Sequence, residues 1–286
     1  MEENNKITEK INNEENNNEP VNENIHTYDN GFHPKEVKLK DNYNFYRKSI
    51  GYKIWNRILV LFWKFLLFFP KFFVWGFRFK GRKNKKYIKG SCVICNHIHQ
   101  FDVFMLFTAM PFKRIYITTL QSNLGFGIVS RLFRDGGAVP IPTDVKLIKK
   151  FNKETPEMIN KGYNVMFYPE AALMPYCDHI RNFMPGVFHY AYASTKVIVP
   201  TCFTFHKPKG WYKLVRKNKP CITYNILEPY YMEDLGNKRL TIEKARKDVQ
   251  QIITDYFIKN SDYYYDKNGN RNNTPIPSKK KKGKNK

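Results

Sequence analysis

Short apolar runs at residues 87–95, 115–119, 139–141, 164–168 and 197–205 are each separated from the next by a helix-length segment, at 100–109, 124–133, 144–162 and 185–194. Strands joined through helices pair in parallel, because a parallel connection needs a crossover of a dozen or more residues. The alternation therefore predicts an α/β fold: a mixed, mostly parallel sheet flanked by helices. The punctuation agrees. Pro111 stops the first helix, Gly136-Gly137 marks a turn, and Gly162 closes the third helix. Residues 212–215 and 221–226 read as edge strands, and 241–259 as an amphipathic helix. No internal repeat is present.

Ahead of this region, residues 57–78 are overwhelmingly apolar. As a helix they would extend about 33 Å, enough to span a bilayer. Yet Arg57, Lys64, Lys71 and Arg78 recur every seven residues. Positions seven apart drift by only about 20° around a helix, so the four cations share one face. A spanning helix would leave Lys64 and Lys71 in hydrocarbon, at about 2.5–3.5 kcal/mol each. A helix lying in the interface puts the cations among headgroups and the Phe, Leu and Trp side chains among acyl chains. Pro70 kinks the segment or divides it. An in-plane or re-entrant anchor is the favoured reading, with a span and a buried core helix as alternatives. Residues 50–80 are assigned to a membrane-associating helical segment.

Forty-nine basic against 25 acidic residues give a net charge of +24. Seven Glu and two Lys fall in the first 25 residues, so the remainder carries +29. A field of that sign suits anionic partners: lipid headgroups, nucleic acid or coenzyme phosphates. No aromatic-basic RNA-recognition signature is present, and nucleic acid is not expected. Residues 1–30, rich in Asn and Glu, are expected to form a disordered acidic tail. Residues 268–286 are expected to form a basic disordered tail. Near an anionic leaflet such a tail gains about 1 kcal/mol per basic residue. The acidic N-terminus has no apolar core of a secretory signal. Five cysteines make no disulfide framework. Cys92 and Cys95 lack a second pair and project to opposite faces of a strand. No metal site is expected, and reduced, intracellular thiols are the plainer reading; with the apolar segment at 57–78, the expected location is the cytoplasmic face of a membrane.

The stretch Asn96-His97-Ile98-His99-Gln100-Phe101-Asp102 follows directly on a strand. With His97 at the strand end and Asp102 in the first turn of the next helix, the carboxylate can fix one ring nitrogen. The other is then left to take a proton. Taken alone, His97 reads more plainly as a core or capping histidine, and Asp102 as an acid serving a helix dipole. Asn96 is a turn former or a donor to this loop, and His99 a packing or surface residue. Glu170 follows Pro169 at the end of another strand, where open α/β sheets place ligands; its plainer reading is a loop acid.

Taken together, these blocks resemble the glycerolipid acyltransferase family, of the 1-acylglycerol-3-phosphate (lysophosphatidate) acyltransferase type. Asn96, His97 and Asp102 match its Asn-His-x4-Asp block. Phe167-Tyr168-Pro169-Glu170-Ala171 is similar to its strand followed by Phe-Pro-Glu-Gly. Arg181, the turn 182–185 and Gly186 resemble a downstream Arg, turn and Gly, and Ile198-Val199-Pro200 a Val-Pro strand end. The resemblance covers residues 85–230, within an acyltransferase domain assigned to 85–260. Two positions depart: Thr143 and Leu173 stand where the family carries arginines, and Arg134 or Arg181 could supply the lost charge.

The resemblance implies a membrane-associated O-acyltransferase of phospholipid biosynthesis. It would move a fatty acyl group from acyl-CoA or acyl-ACP (acyl carrier protein) to the hydroxyl of a lysophospholipid. His97 and Asp102 would be catalytic, with Asn96, Glu170, Arg181 and Gly186 binding substrate. No cofactor is implied beyond the donor itself. The partners expected are the lipid acceptor, anionic headgroups and the donor carrier. The alternative is a non-catalytic basic peripheral protein that binds anionic lipid.

Overall fold

The computed structural model describes residues 37–99, 101–110 and 114–277. The predicted tail 1–30 lies outside them. One eight-stranded sheet runs in the order β1-β7-β6-β2-β5-β3-β4, with β8 also paired to β6. The strands are Arg78–Lys80 (β1), Cys92–Ile94 (β2), Ile115–Leu120 (β3), Ala138–Ile141 (β4), Asn164–Phe167 (β5), Val197–His206 (β6), Cys221–Ile226 (β7) and Tyr230–Tyr231 (β8). Only β6–β7 and β6–β8 are antiparallel. The helices are Ile50–Leu66 (α1), Asp102–Ala109 (α2), Ile128–Asp135 (α3), Val145–Asn160 (α4), Gly186–Tyr192 (α5), Tyr212–Arg216 (α6) and Lys238–Asn260 (α7). The mixed, mostly parallel sheet flanked by helices is the predicted fold. β2 and β5 are buried along their whole length, as strands covered on both faces are, and they read as continuous apolar runs.

Chain direction explains where the helices lie. From β2 through α2 to β3, and through α3 to β4, the chain steps toward one edge of the sheet. It then reverses, through α4 to β5 and through α5 to β6. Right-handed crossovers place helices on opposite faces when the direction of travel reverses. Accordingly α1 packs on α2 and α3, while α5 packs on α4 and α7. The neighbours β2 and β5 thus send their connections to opposite faces. Their C-terminal ends are therefore the switch point of the sheet, the place where open α/β sheets bind ligands.

The apolar N-terminal segment divides at Pro70. Its first part, α1, begins at Ser49, whose hydroxyl accepts from the Tyr52 N–H at 3.2 Å. Tyr52, Asn56, Leu59 and Val60 face inward. Tyr52 donates to the Arg134 carbonyl at 3.1 Å and Asn56 to the Asp135 carbonyl at 2.7 Å. The helix therefore caps the last turn of α3, reaching the Asp135 carbonyl and the Arg134 carbonyl, which also accepts the Gly137 N–H at 3.1 Å. The opposite side, with Ile54, Ile58, Leu61 and Phe65, is exposed. Arg57 and Lys64 are exposed or half-buried on a flank between the two faces. Pro70–Val74 forms one π-helical turn. Among the described residues no helix is long and apolar enough to cross a membrane, and one buried face does not make α1 a core helix.

Other elements differ from expectation. Residues 212–215 are helical, not an edge strand, because β6 and β7 pair directly from Thr201–Ile226 to His206–Cys221. That leaves 207–220 as their connection, with no strand to join. The helix predicted at 124–133 becomes a 3-10 turn, Gln121–Gly125, and α3, separated by Gly127 at φ +61°. β1 was not read from the sequence, and it ties the N-terminal segment to the domain through β7. Gly81, at φ +75°, ends it; a Cβ there would lie 2.1 Å from the Ile226 carbonyl oxygen. The beginning of the predicted disordered tail is ordered: Tyr265 bridges Arg271, and Arg271 pairs with Asp178 at 2.7 Å. Residues 278–286 lie outside the described part.

Candidate active site

His97 lies three residues past β2, and Asp102 opens α2. The Asp102 Oδ2 oxygen sits 2.8 Å from His97 Nδ1 and accepts the Ile98 N–H at 2.9 Å. A carboxylate oxygen accepts, so the ring proton belongs on Nδ1 and Nε2 keeps its lone pair. The Asp102 side chain is 1% exposed and that of His97 24%. The pair is buried at its anchoring end and open at the imidazole.

The other face of the imidazole is fixed as well. Tyr168, just past β5, stacks on it with ring centroids 4.2 Å apart and planes inclined by 24°. The Tyr168 hydroxyl is buried without a hydrogen-bond partner among the described residues. Burial pushes its pKa well above the ordinary phenol value. The sequence placed Tyr168 in a motif but did not single it out; its contact with His97 exists only because β2 and β5 are neighbours.

Asn96, Glu170 and Arg181 converge behind the dyad and turn inward. Asn96 donates to the Phe203 carbonyl at 3.1 Å and accepts the Phe203 N–H at 2.8 Å, so its amide extends the β2–β6 ladder past the end of β2. Glu170 accepts the His97 N–H at 3.3 Å, the Arg181 N–H at 3.3 Å and Arg181 Nη2 at 2.8 Å. Arg181 also donates to the Ala172 carbonyl. Glu170 and Arg181 are each 2% exposed. Burial raises the Glu170 carboxyl above its ordinary value, against the pull of Arg181. The three residues brace the loops after β2 and β5. Gly186 lies apart, exposed at the first position of α5. Arg134 lies at the opposite end of the sheet, where α3 turns into β4, with its guanidinium over the Tyr43 ring at 4.5 Å. Thr143 binds Gln121 through its N–H at 3.1 Å.

His99 packs among the rings of Trp75, Phe101 and Tyr176, and burial lowers its pKa. Trp75 and Phe101, centroids 5.6 Å apart, connect the dyad loop to the apolar N-terminal segment. Cys92 and Cys95 are both buried in the sheet. Among the described residues, Cys177, Asp178 and His179 are close enough to share a metal ion, their ligand atoms lying within 4.8 Å. The Asp178 carboxylate is already held by Arg271 at 2.7 and 2.8 Å, so an entering cation would have to displace a guanidinium.

Residues 76–204 match the family model described as Acyltransferase. No curated protein matches the chain. Among solved structures it is similar to the 1-acyl-sn-glycerophosphate (LPA) acyltransferase PlsC of Thermotoga maritima. The two are 14% identical, with a TM-score of 0.46, over 72% of this chain and 97% of that one.

Proposed function

We propose that the chain is a glycerolipid acyltransferase, a reading supported by the match of residues 76–204 to the Acyltransferase family model, and that it moves a fatty acyl group from an acyl thioester to the hydroxyl of a lysophospholipid such as 1-acylglycerol-3-phosphate. The donor is acyl-CoA or acyl-ACP. His97 Nε2 takes the hydroxyl proton as the oxygen attacks the thioester carbonyl. The C–O bond forms, the C–S bond breaks, and the imidazolium returns the proton to the departing thiolate. Asp102 holds the ring in one tautomer and stabilises its charged form, as in the Ser-His-Asp arrangement, with the acceptor hydroxyl in the place of the serine. Tyr168 and the Glu170–Arg181 pair keep the imidazole in position, and the acceptor enters from its open side. The observation that carries this reading is the 2.8 Å contact between a part-exposed His97 and a buried Asp102 at the C-terminal ends of β2 and β5.

Both acceptor and product are lipids, so the reading includes docking at the cytoplasmic face of a membrane. With the outer apolar face of α1 among acyl chains, its basic flank lies at headgroup height. The test is product formation from a labelled acyl thioester and a panel of lysolipids, with release of free thiol followed in parallel. His97→Ala and Asp102→Asn should each lower turnover by about 10²- to 10⁴-fold with the fold intact. Turnover near wild type in either variant overturns the mechanism. Vesicle binding with no product from any acceptor would point to the non-catalytic lipid binder.

A further inference from the structure

β7 runs antiparallel to β6 and β1 runs parallel to β7, so both begin at the end of the sheet where β2 finishes. Whatever precedes β1 and β7 therefore shares that end with His97. Before β1 comes the π-helical turn with Phe69 and Phe73, 65% and 53% exposed. Before β7 comes α6, with Trp211 and Leu214, 62% and 70% exposed. These two are three residues apart and share one side of the short helix.

The two elements are fastened together. Arg216, buried at the end of α6, donates to the Pro220 carbonyl at 2.9 Å and to the Val74 carbonyl at 3.1 Å. Gly76 is packed so closely that a Cβ would lie 2.5 Å from Cys221 Sγ and 3.3 Å from the Tyr212 ring. The exposed aromatics of residues 68–74 and the Trp211–Leu214 pair are thus held side by side, though about 140 positions separate them in the chain. Lys207, Lys209, Lys213, Lys217 and Lys219 flank the pair along the chain, all exposed; no Asp or Glu occurs between Asp178 and Glu228, and Asp262 meets this segment at the Lys207 N–H. An apolar tip flanked by cations fits a lipid leaflet with anionic headgroups: Trp and Leu enter the acyl boundary and the lysines stay among phosphates.

We propose that Trp211 and Leu214 form a second membrane-insertion point, which together with the Pro70–Val74 turn seats the His97 end of the sheet against an anionic leaflet. A single helix fixes depth but leaves the body free to rock about it. A second contact across the β1–β7 edge fixes the tilt, so the dyad loop, joined to this face through Trp75 and Phe101, meets lipid-borne acceptors in one orientation. This inference rests on the membrane docking of the proposed function.

The test compares wild type, Trp211→Glu/Leu214→Glu, and Tyr231→Glu on equimolar phosphatidylcholine–phosphatidylglycerol vesicles. Tyr231 is also exposed but pairs with Val197 at the start of β6, the other end of the sheet. The double variant should lose about tenfold or more in partitioning, and the control should not. Turnover of short-chain, water-soluble donor and acceptor should stay at the wild-type level in both. Acyl-brominated lipid should quench wild-type fluorescence more than that of Trp211→Phe. The inference is overturned if the double variant binds like wild type, or if bound protein shows no Trp211-dependent quenching. It is also overturned if the double variant abolishes a dimer in solution, which would make the patch an interface between copies. Wild type that turns over soluble substrates but ignores vesicles overturns the inference and leaves the acyltransferase reading standing.

Discussion

His97 is held by three different forces: a hydrogen bond to Asp102, a stacked ring from Tyr168, and its own backbone N–H on Glu170. Each can be removed separately. Tyr168→Phe keeps the stacking and deletes a buried hydroxyl without a partner, a group that costs about 1–3 kcal/mol to desolvate. The variant should be at least as stable as wild type in chemical denaturation; a lower midpoint would mean that the hydroxyl has a partner after all. Glu170→Gln works in the other direction. It leaves the Arg181 charge buried without its counter-ion, which costs about 3–5 kcal/mol. The melting temperature should fall markedly, and an unchanged one would show that the pair is not closed in solution. The roles of His97 and Asp102 were suggested by their spacing together with the resemblance of the surrounding blocks. The inward role of Glu170 and Arg181 was not, because no local pattern says that two residues eleven apart will meet under a neighbouring strand.

Among the elements, the C-terminal strap after α7 shows how a segment reads as a loose tail and is nonetheless fixed. Its composition is polar, and its order comes from Arg271 on Asp178, Tyr265 on the Asp178 carbonyl, and Tyr264 on the Tyr176 carbonyl. Asp178 also meets His179 at 2.8 Å. The Cys177 sulfur and the Asp178 carboxylate raise the His179 pKa to about 9. Because the folded value lies above the unfolded one, the folded state holds the extra proton between them. The stabilisation is complete below about pH 6.5 and is lost as pH rises through about 9. Wild type should therefore lose more melting temperature than His179→Ala between pH 7 and 10; parallel curves would show that the pairing contributes nothing. The same segment explains a wrong expectation. Disorder over 268–286 was read from its basic run, while its first part is anchored by Arg271, and the tyrosines just before it by partners about 90 positions away.

For the whole molecule, charge and apolar surface act on the same partner with different range. The net charge of +24 acts through a field screened over about 10 Å at 0.1 M salt and about 3 Å at 1 M. The exposed aromatics of α1 and residues 68–74 are indifferent to salt. Flotation with anionic vesicles should therefore weaken as salt rises from 0.1 to 1 M, yet a bound fraction should persist. Complete release at 1 M would reduce the interaction to surface adsorption and remove the inserted helix from the proposal.

Short apolar runs alternating with helix-length segments determined the α/β class and located the five strands of the central region and most of the helices between them, because the length of an apolar run and the residues that punctuate it are local properties. Spacing also allowed the His97–Asp102 pair, since five residues cross from a strand end into the next helical turn, and the surrounding blocks singled it out. Tertiary structure decided what depended on strand order. It brought Tyr168 onto His97, turned Asn96, Glu170 and Arg181 inward, sent Arg134 to the far end of the sheet, and set Trp211 and Leu214 beside the N-terminal aromatics. Those contacts join residues far apart in sequence, and their partners are chosen by which strands lie next to each other and which way each one runs.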